Sequence, residues 1–164
     1  MQLERKLFLT SAILFLLFVG ASFVVGGSDG VSSRVSKNIS TLTLGSSLVS
    51  VEIADDEMSR SQGLGGRLKL DRGTGMLFIF DRSDLWGIWM KDMKIAIDVI
   101  WLDQTGKIVT VEENMSPETY PKIFFPTKRA RYVLEVPAGA FRASGASIGD
   151  VIDLSSLAST TPSR

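Results

Sequence analysis

The sequence predicts an all-β fold, a compact single-domain barrel or sandwich with one or two short helices, set behind an apolar N-terminal segment. Three observations lead there. Seven or eight short runs are apolar or alternating and are divided by Gly, Asp and Ser turns at hairpin spacing. Only two fragments carry helix signals, Asp55 to Gly63 and Ala138 to Ser144. All three tryptophans, Trp86, Trp89 and Trp101, fall in one block from Gly75 to Leu102, where a core nucleates.

In chain order, Arg5 and Lys6 precede an apolar run from Leu7 to Val25, broken only by Thr10, Ser11, Gly20 and Ser22. As a helix this run rises about 28 Å, close to the hydrocarbon thickness of a bilayer. A signal peptide would use Leu7 to Val19 as its apolar region and be cut ahead of Ser22. An uncleaved anchor over residues 1–25 is favoured, because Phe23-Val24-Val25 continues the apolar run where a cleaved leader turns polar. Both readings leave the positive residues inside and the rest of the chain on the extracytoplasmic side, at the cell membrane or, after cleavage, secreted or periplasmic. Residues 26–40 (GGSDGVSSRVSKNIS) read as a flexible linker, and 155–164 as a disordered tail of similar bias.

The folded domain spans 41–154. Thr41 to Leu44 and Leu48 to Ile53 form a hairpin about Gly45-Ser46-Ser47, with Val49, Val51 and Ile53 inward. Asp55 caps a short helix that carries Asp56 and Glu57 in its first turn, Arg60 near its end, and Gly63 as its stop. The glycines of Gly63-Leu64-Gly65-Gly66-Arg67 let backbone approach another group closely. Met76 to Phe80 is apolar on both faces and suits a covered strand. Lys107 to Glu113 alternates after a turn at Asp103-Gln104-Thr105-Gly106. Met115 to Ala130 holds Pro117, Pro121 and Pro126 with Tyr120, Phe124 and Phe125; it reads as a loop that caps an open end or as a lid facing a ligand. Arg131 to Val136 puts Tyr132, Leu134 and Val136 on one face and Val133 and Glu135 on the other, and Val151 to Leu154 makes the last strand.

Within the strand Ile95 to Leu102, Asp98 shares its face with Ala96, Ile100 and Leu102. A carboxylate in that company meets a cation or several backbone N–H groups, or lies at the mouth of a pocket. Bonding to a nearby turn is the structural alternative.

Composition narrows the chemistry. Lys+Arg and Asp+Glu both number 18, so no electrostatic case for a nucleic-acid partner arises. Cysteine and histidine are absent, which removes thiol chemistry, thiolate zinc sites and imidazole bases. No cofactor or metal is expected, and any protein-bound metal would need an oxygen shell. The candidate ligand-binding residues are Arg60, Arg67, Trp89, Lys91, Asp98, Phe124, Phe125 and Glu135, with Trp86 as a further wall; simple core packing is the alternative for each aromatic. Three functions compete: a monomeric binding module for a small ligand, tethered to a membrane by its N-terminal segment; a factor that holds another envelope protein against the Pro-rich aromatic loop; and a hydrolase pairing Asp98 with Glu135, which requires both carboxyls in one cleft about 5 to 10 Å apart.

Spaced blocks also carry a family resemblance: Arg60 with Gly63-Leu64 and Arg67; Gly75-Met76-Leu77-Phe78; Trp89-Met90-Lys91 followed by Ile97-Asp98; Leu134-Glu135 with Ala138-Gly139; and Gly149-Asp150. In these the chain resembles the prokaryotic family called domain of unknown function 192, over about Val49 to Leu154. It departs from that pattern at Gly65, where members usually carry Met, and at Asp92 to Ala96, where a polar stretch and a proline are usual. The resemblance implies a small β-rich domain behind a signal or anchor, and it implies no reaction.

Overall fold

The computed structural model describes residues 38–160. The apolar run Leu7 to Val25, the linker up to residue 37 and residues 161–164 lie outside the described residues. Among the described residues no helix is long and apolar enough to cross a membrane.

Alternation on both sides of the first turn produces the expected hairpin. Strands β1 (Ile39–Leu44) and β2 (Ser47–Ala54) pair antiparallel, with Leu42 opposite Val49. Gly45 turns the chain at φ 56°, where a Cβ would collide with the carbonyl oxygen of Ser144. Both the dihedral and the close approach require glycine.

Helix α1 (Glu57–Gln62) begins one residue later than the sequence suggests. Asp56, rather than Asp55, is the cap: its Oδ1 accepts from Ser59 N–H at 2.8 Å, while Ser59 Oγ accepts from Asp56 N–H at 3.3 Å. Gly63 closes the helix with its N–H on the Ser59 carbonyl. The helix and the glycine loop serve as a crossover, because β3 (Thr74–Asp84) pairs parallel with β2, Val51 opposite Gly75 and Ala54 opposite Phe78. A parallel pair cannot be joined by a tight turn.

Five further strands follow: β4 (Ile88–Trp89), β5 (Ile97–Leu102), β6 (Ile108–Met115), β7 (Ile123–Phe124) and β8 (Ala130–Pro137). The main sheet is mixed and six-stranded in the order β1-β2-β3-β8-β5-β6. Since β1 and β6 remain edges, it does not close into a barrel, and the fold is all-β and sandwich-like. The Pro-rich segment is less irregular than its composition suggests: Ser116 caps a 3-10 turn over Pro117–Thr119, and β7 pairs with β4 as a small second sheet. The expected last strand does not form. Val151 makes a single bridge to Lys107, and residues Ser155–Thr160, the part of the expected tail that is described, form a 3-10 turn. There Ser156 Oγ lies 3.0 Å from Ser40 Oγ, and Leu157 packs on the core.

Both faces of the sheet are covered. Leu42, Val51, Leu77, Ile100 and Leu134 lie on one face, under Phe141 of helix α2 (Ala140–Ser144) and under Ile152. Met76, Phe78, Val99, Trp101 and Val133 lie on the other, under Leu64, Ile88, Met90 and Met93. Strand β5, between β8 and β6, is buried at every position. Each large apolar side chain so buried contributes about 1.5–3 kcal/mol.

Candidate functional site

Alternation along β8 sends Leu134 and Val136 to the first face and Glu135 to the second, where it stands opposite Met76 of β3 and Val99 of β5. Its side chain is on the floor of an open cleft of about 580 Å³. The end of α1 and the loop Gly63 to Gly66 form one wall, and Gly87 to Trp89 form the other. Phe78, Phe80, Met93 and Ile97 give apolar surface, with Glu57, Arg60, Lys91 and Asp92 also lining the cleft. The loop is pinned by Gly66 N–H on the Asp92 carbonyl at 2.9 Å. Arg60 is equally fixed: its Nη1 donates to the carbonyls of Asp55 at 2.6 Å and Ile79 at 2.9 Å, and its guanidinium sits 5.4 Å from the Phe80 ring centre.

Glu135 is only 5% exposed. Burial pushes its carboxyl up to about 8, and the positive charge of Arg67 offsets only part of this. Arg67 is committed elsewhere: its Nη1 and Nη2 donate to the two carboxylate oxygens of Glu52 at 2.6 and 2.7 Å. That bidentate bond holds the guanidinium above its ordinary value. At neutral pH the floor of the cleft is therefore a largely protonated acid, able to donate a hydrogen bond or to give up its proton.

Asp98 serves the opposite face. It is 0% exposed, next to Val99 on β5, so the pleat points it away from Glu135. Its Oδ1 accepts from Asn114 N–H at 2.8 Å and Gly139 N–H at 3.1 Å, and its Oδ2 from Phe141 N–H at 2.9 Å. The first bond has a local cause. Between the pairs Ile97 with Met115 and Val99 with Glu112, β6 holds two residues against one on β5, a bulge, and Asn114 there takes φ 56°. Backbone N–H groups thus answer the buried carboxylate, and no arginine or lysine is needed. Asp98 does not line the cleft, and the hydrolase that pairs it with Glu135 is excluded because the two carboxyls are on opposite sides of the sheet.

Of the predicted residues, the cleft gathers Arg60, Trp89, Lys91 and Glu135. Arg67 stands behind Glu135 as its neighbouring charge. Phe124 packs into the core under Lys122, whose Nζ is 4.1 Å from its ring centre, and Phe125 faces solvent at 56% exposure. Trp86 stacks on Phe80 at 4.2 Å between ring centres, and its carbonyl accepts from Trp101 Nε1. The pocket expected from Trp86, Phe124 and Phe125 is therefore not the one that forms. Sequence reasoning missed Glu57, Phe78, Phe80 and Asp92. Only the glycine loop signalled that wall, since the parallel crossover that carries it over the sheet leaves no local trace.

A small mixed β domain with a lateral cleft beneath a helix-and-glycine crossover is the class that this geometry defines. The chain belongs to the DUF192 family, described as "Uncharacterized ACR", whose model matches residues 40–154. A crystal structure from Sinorhizobium meliloti 1021, named for a proposed role as a transcription regulator, is similar at 30% identity and TM-score 0.69, covering 73% of this chain and 96% of that one. A protein of unknown function from Novosphingobium aromaticivorans DSM 12444 is similar in fold at 22% identity and TM-score 0.68, covering 73% and 89%. No curated protein matches the chain.

Proposed function

We propose that this domain is a small-ligand-binding module, held on the extracytoplasmic side of a membrane by the apolar segment at residues 7–25. One observation carries the binding reading. A cleft of about 580 Å³ with both apolar and polar walls has a buried acid on its floor and an exposed tryptophan in its lining, which is the usual make-up of a ligand site. The transcription role named for the Sinorhizobium relative is not carried over, because equal numbers of acidic and basic residues supply no electrostatic case for binding a phosphate backbone.

The test is a thermal-shift panel of sugars, peptides, lipids and amines on the full chain in a non-ionic detergent. A ligand whose shift is lost in Trp89→Ala supports the reading. No shift across the panel sinks it. Fractionation of the native host tests the location, and recovery of the intact chain in the cytosol without membrane association overturns it.

A second reading rests on the outer side of the β4–β7 arm. Trp89 and Tyr120, 5.9 Å apart, are exposed there with Ile123 and Phe125, an apolar surface suited to an envelope protein. Tyr120→Ala with Phe125→Ala, neither of which lines the cleft, would then abolish co-purification of a defined envelope partner while leaving small-ligand shifts intact.

A further inference from the structure

The ligand-binding reading of the cleft leaves the chemistry of the ligand open, and the floor narrows it. Resting on that reading, we infer that the cleft receives the cationic head of a small organic amine or amidine, with Glu135 as its counter-charge and Phe78, Phe80 and Trp89 flanking its apolar body.

Polar groups along the cleft are mostly spoken for. Arg60 is bonded to two carbonyls and stacked on Phe80. Lys91 Nζ lies over the Trp89 ring, 5.8 Å from its centre. Glu57 and Asp92 line the same cleft and balance these two cations. Glu135 differs from all of them. It is nine-tenths buried and directed into the cleft, and none of the described residues donates a hydrogen bond to its carboxyl. The nearest cation is Arg67, whose fork is already filled by Glu52. A buried carboxyl in that position is stabilised by whatever brings a positive charge with its own donors. An anionic head would bring Glu135 no counter-charge and could take only the single hydrogen bond of its protonated form.

Proton linkage makes the inference testable. Below about 8 the empty site holds a proton on Glu135. A protonated amine binds to the ionised form, so one proton leaves as the ligand enters, and apparent affinity rises about tenfold per pH unit as pH climbs toward 8. The charged groups near Glu135 on the other elements are Glu52 and Arg67 on one side and Glu57, Arg60, Lys91 and Asp92 along the cleft; of these, Arg67 enters as the offsetting charge on Glu135.

The experiment is a charge series at nearly constant shape on the full chain in detergent. Benzylamine, benzyl alcohol and benzoate are titrated at pH 6 and pH 7 by tryptophan fluorescence, and by calorimetry in two buffers of different ionisation enthalpy. The expected result is binding of benzylamine over the other two, about tenfold tighter at pH 7 than at pH 6, with close to one proton released. Glu135→Gln removes the proton release and the pH dependence, and weakens benzylamine at least about tenfold. Equal or tighter binding of benzyl alcohol or benzoate overturns the inference while leaving the cleft a ligand site. So does benzylamine binding without proton release. If none of the three binds, the inference falls, and the broad panel decides the ligand-binding reading separately.

Discussion

Replacing Asp98 with Asn changes one atom of a carboxyl that three backbone amides surround, and its cost can be worked bond by bond. An aspartate offers only acceptors, and the shell around it offers only donors: Asn114, Gly139 and Phe141. With the new amide oxygen at the Oδ1 position, the bonds from Asn114 and Gly139 are kept, but the NH₂ group then faces Phe141 N–H at 2.9 Å, donor against donor. Flipping the amide trades that conflict for two conflicts, with Asn114 and Gly139. Losing one hydrogen bond to a charged acceptor costs about 1.5–3 kcal/mol, and the remaining bonds weaken from charged to neutral. A loss of about 3 kcal/mol follows, equivalent to a fall of about 10 °C in Tm for a domain of this size. The assay is thermal unfolding followed by near-UV circular dichroism of the three tryptophans, with amide NMR shifts at residues 114, 139 and 141. Asp98→Ala, which orphans all three donors, should fall further. An Asn variant within about 2 °C of the parent, with those amide resonances unmoved, would refute the account of Asp98 as a structural clamp.

Other consequences are open to measurement. For Glu135, the folded carboxyl keeps its proton up to about 8 while the unfolded one releases it near its ordinary 4.5, so stability falls as pH rises between those values. Melting from pH 5 to pH 8.5 should show that decline in the parent and not in Glu135→Gln, which should be the more stable of the two at pH 8. A parent curve that is flat or rising over this window contradicts the buried-acid reading. Gly45→Ala should lose about 2–4 kcal/mol, because the side chain meets both a φ of 56° and the Ser144 carbonyl; urea titration at fixed pH reads it, and a loss under 1 kcal/mol counts against that approach. Phe124→Ala should cost about 2–3 kcal/mol and Phe125→Ala under about 0.5, since the first packs in the core and the second faces solvent; equal effects in paired melts would contradict the placement of this arm.

Legibility in the sequence followed the range of the forces involved. Period-2 alternation is local, so it located the hairpin at Gly45 and the two faces of Arg131 to Val136, and with them the side on which Glu135 falls. Asp98 was legible as a carboxylate in apolar company, and also as a candidate for backbone N–H bonding. What no local pattern could reveal was the source of those amides, a β6 bulge and the first turn of α2, 16 and 43 residues away in the chain. The parallel pairing of β2 with β3 was hidden for the same reason. Without it, the glycine loop could be read as close-approaching but not as the roof of a cleft. Val151 to Leu154 looked like a strand because its composition fits one, yet its pairing stops at the bridge of Val151 to Lys107, with Ile152 N–H on the Gly106 carbonyl.

The position of β8 in the sheet order has a temporal consequence. It is made last of the six strands and lies between β3 and β5, so it alone links the β1-β2-β3 half to the β5-β6 half. A ribosome that has released the chain only as far as Lys128 has made two part-sheets with no shared edge. The native hydrogen-bond ladder closes when residues 130–137 arrive, and every truncation upstream of Ala130 leaves both halves with open, aggregation-prone edges.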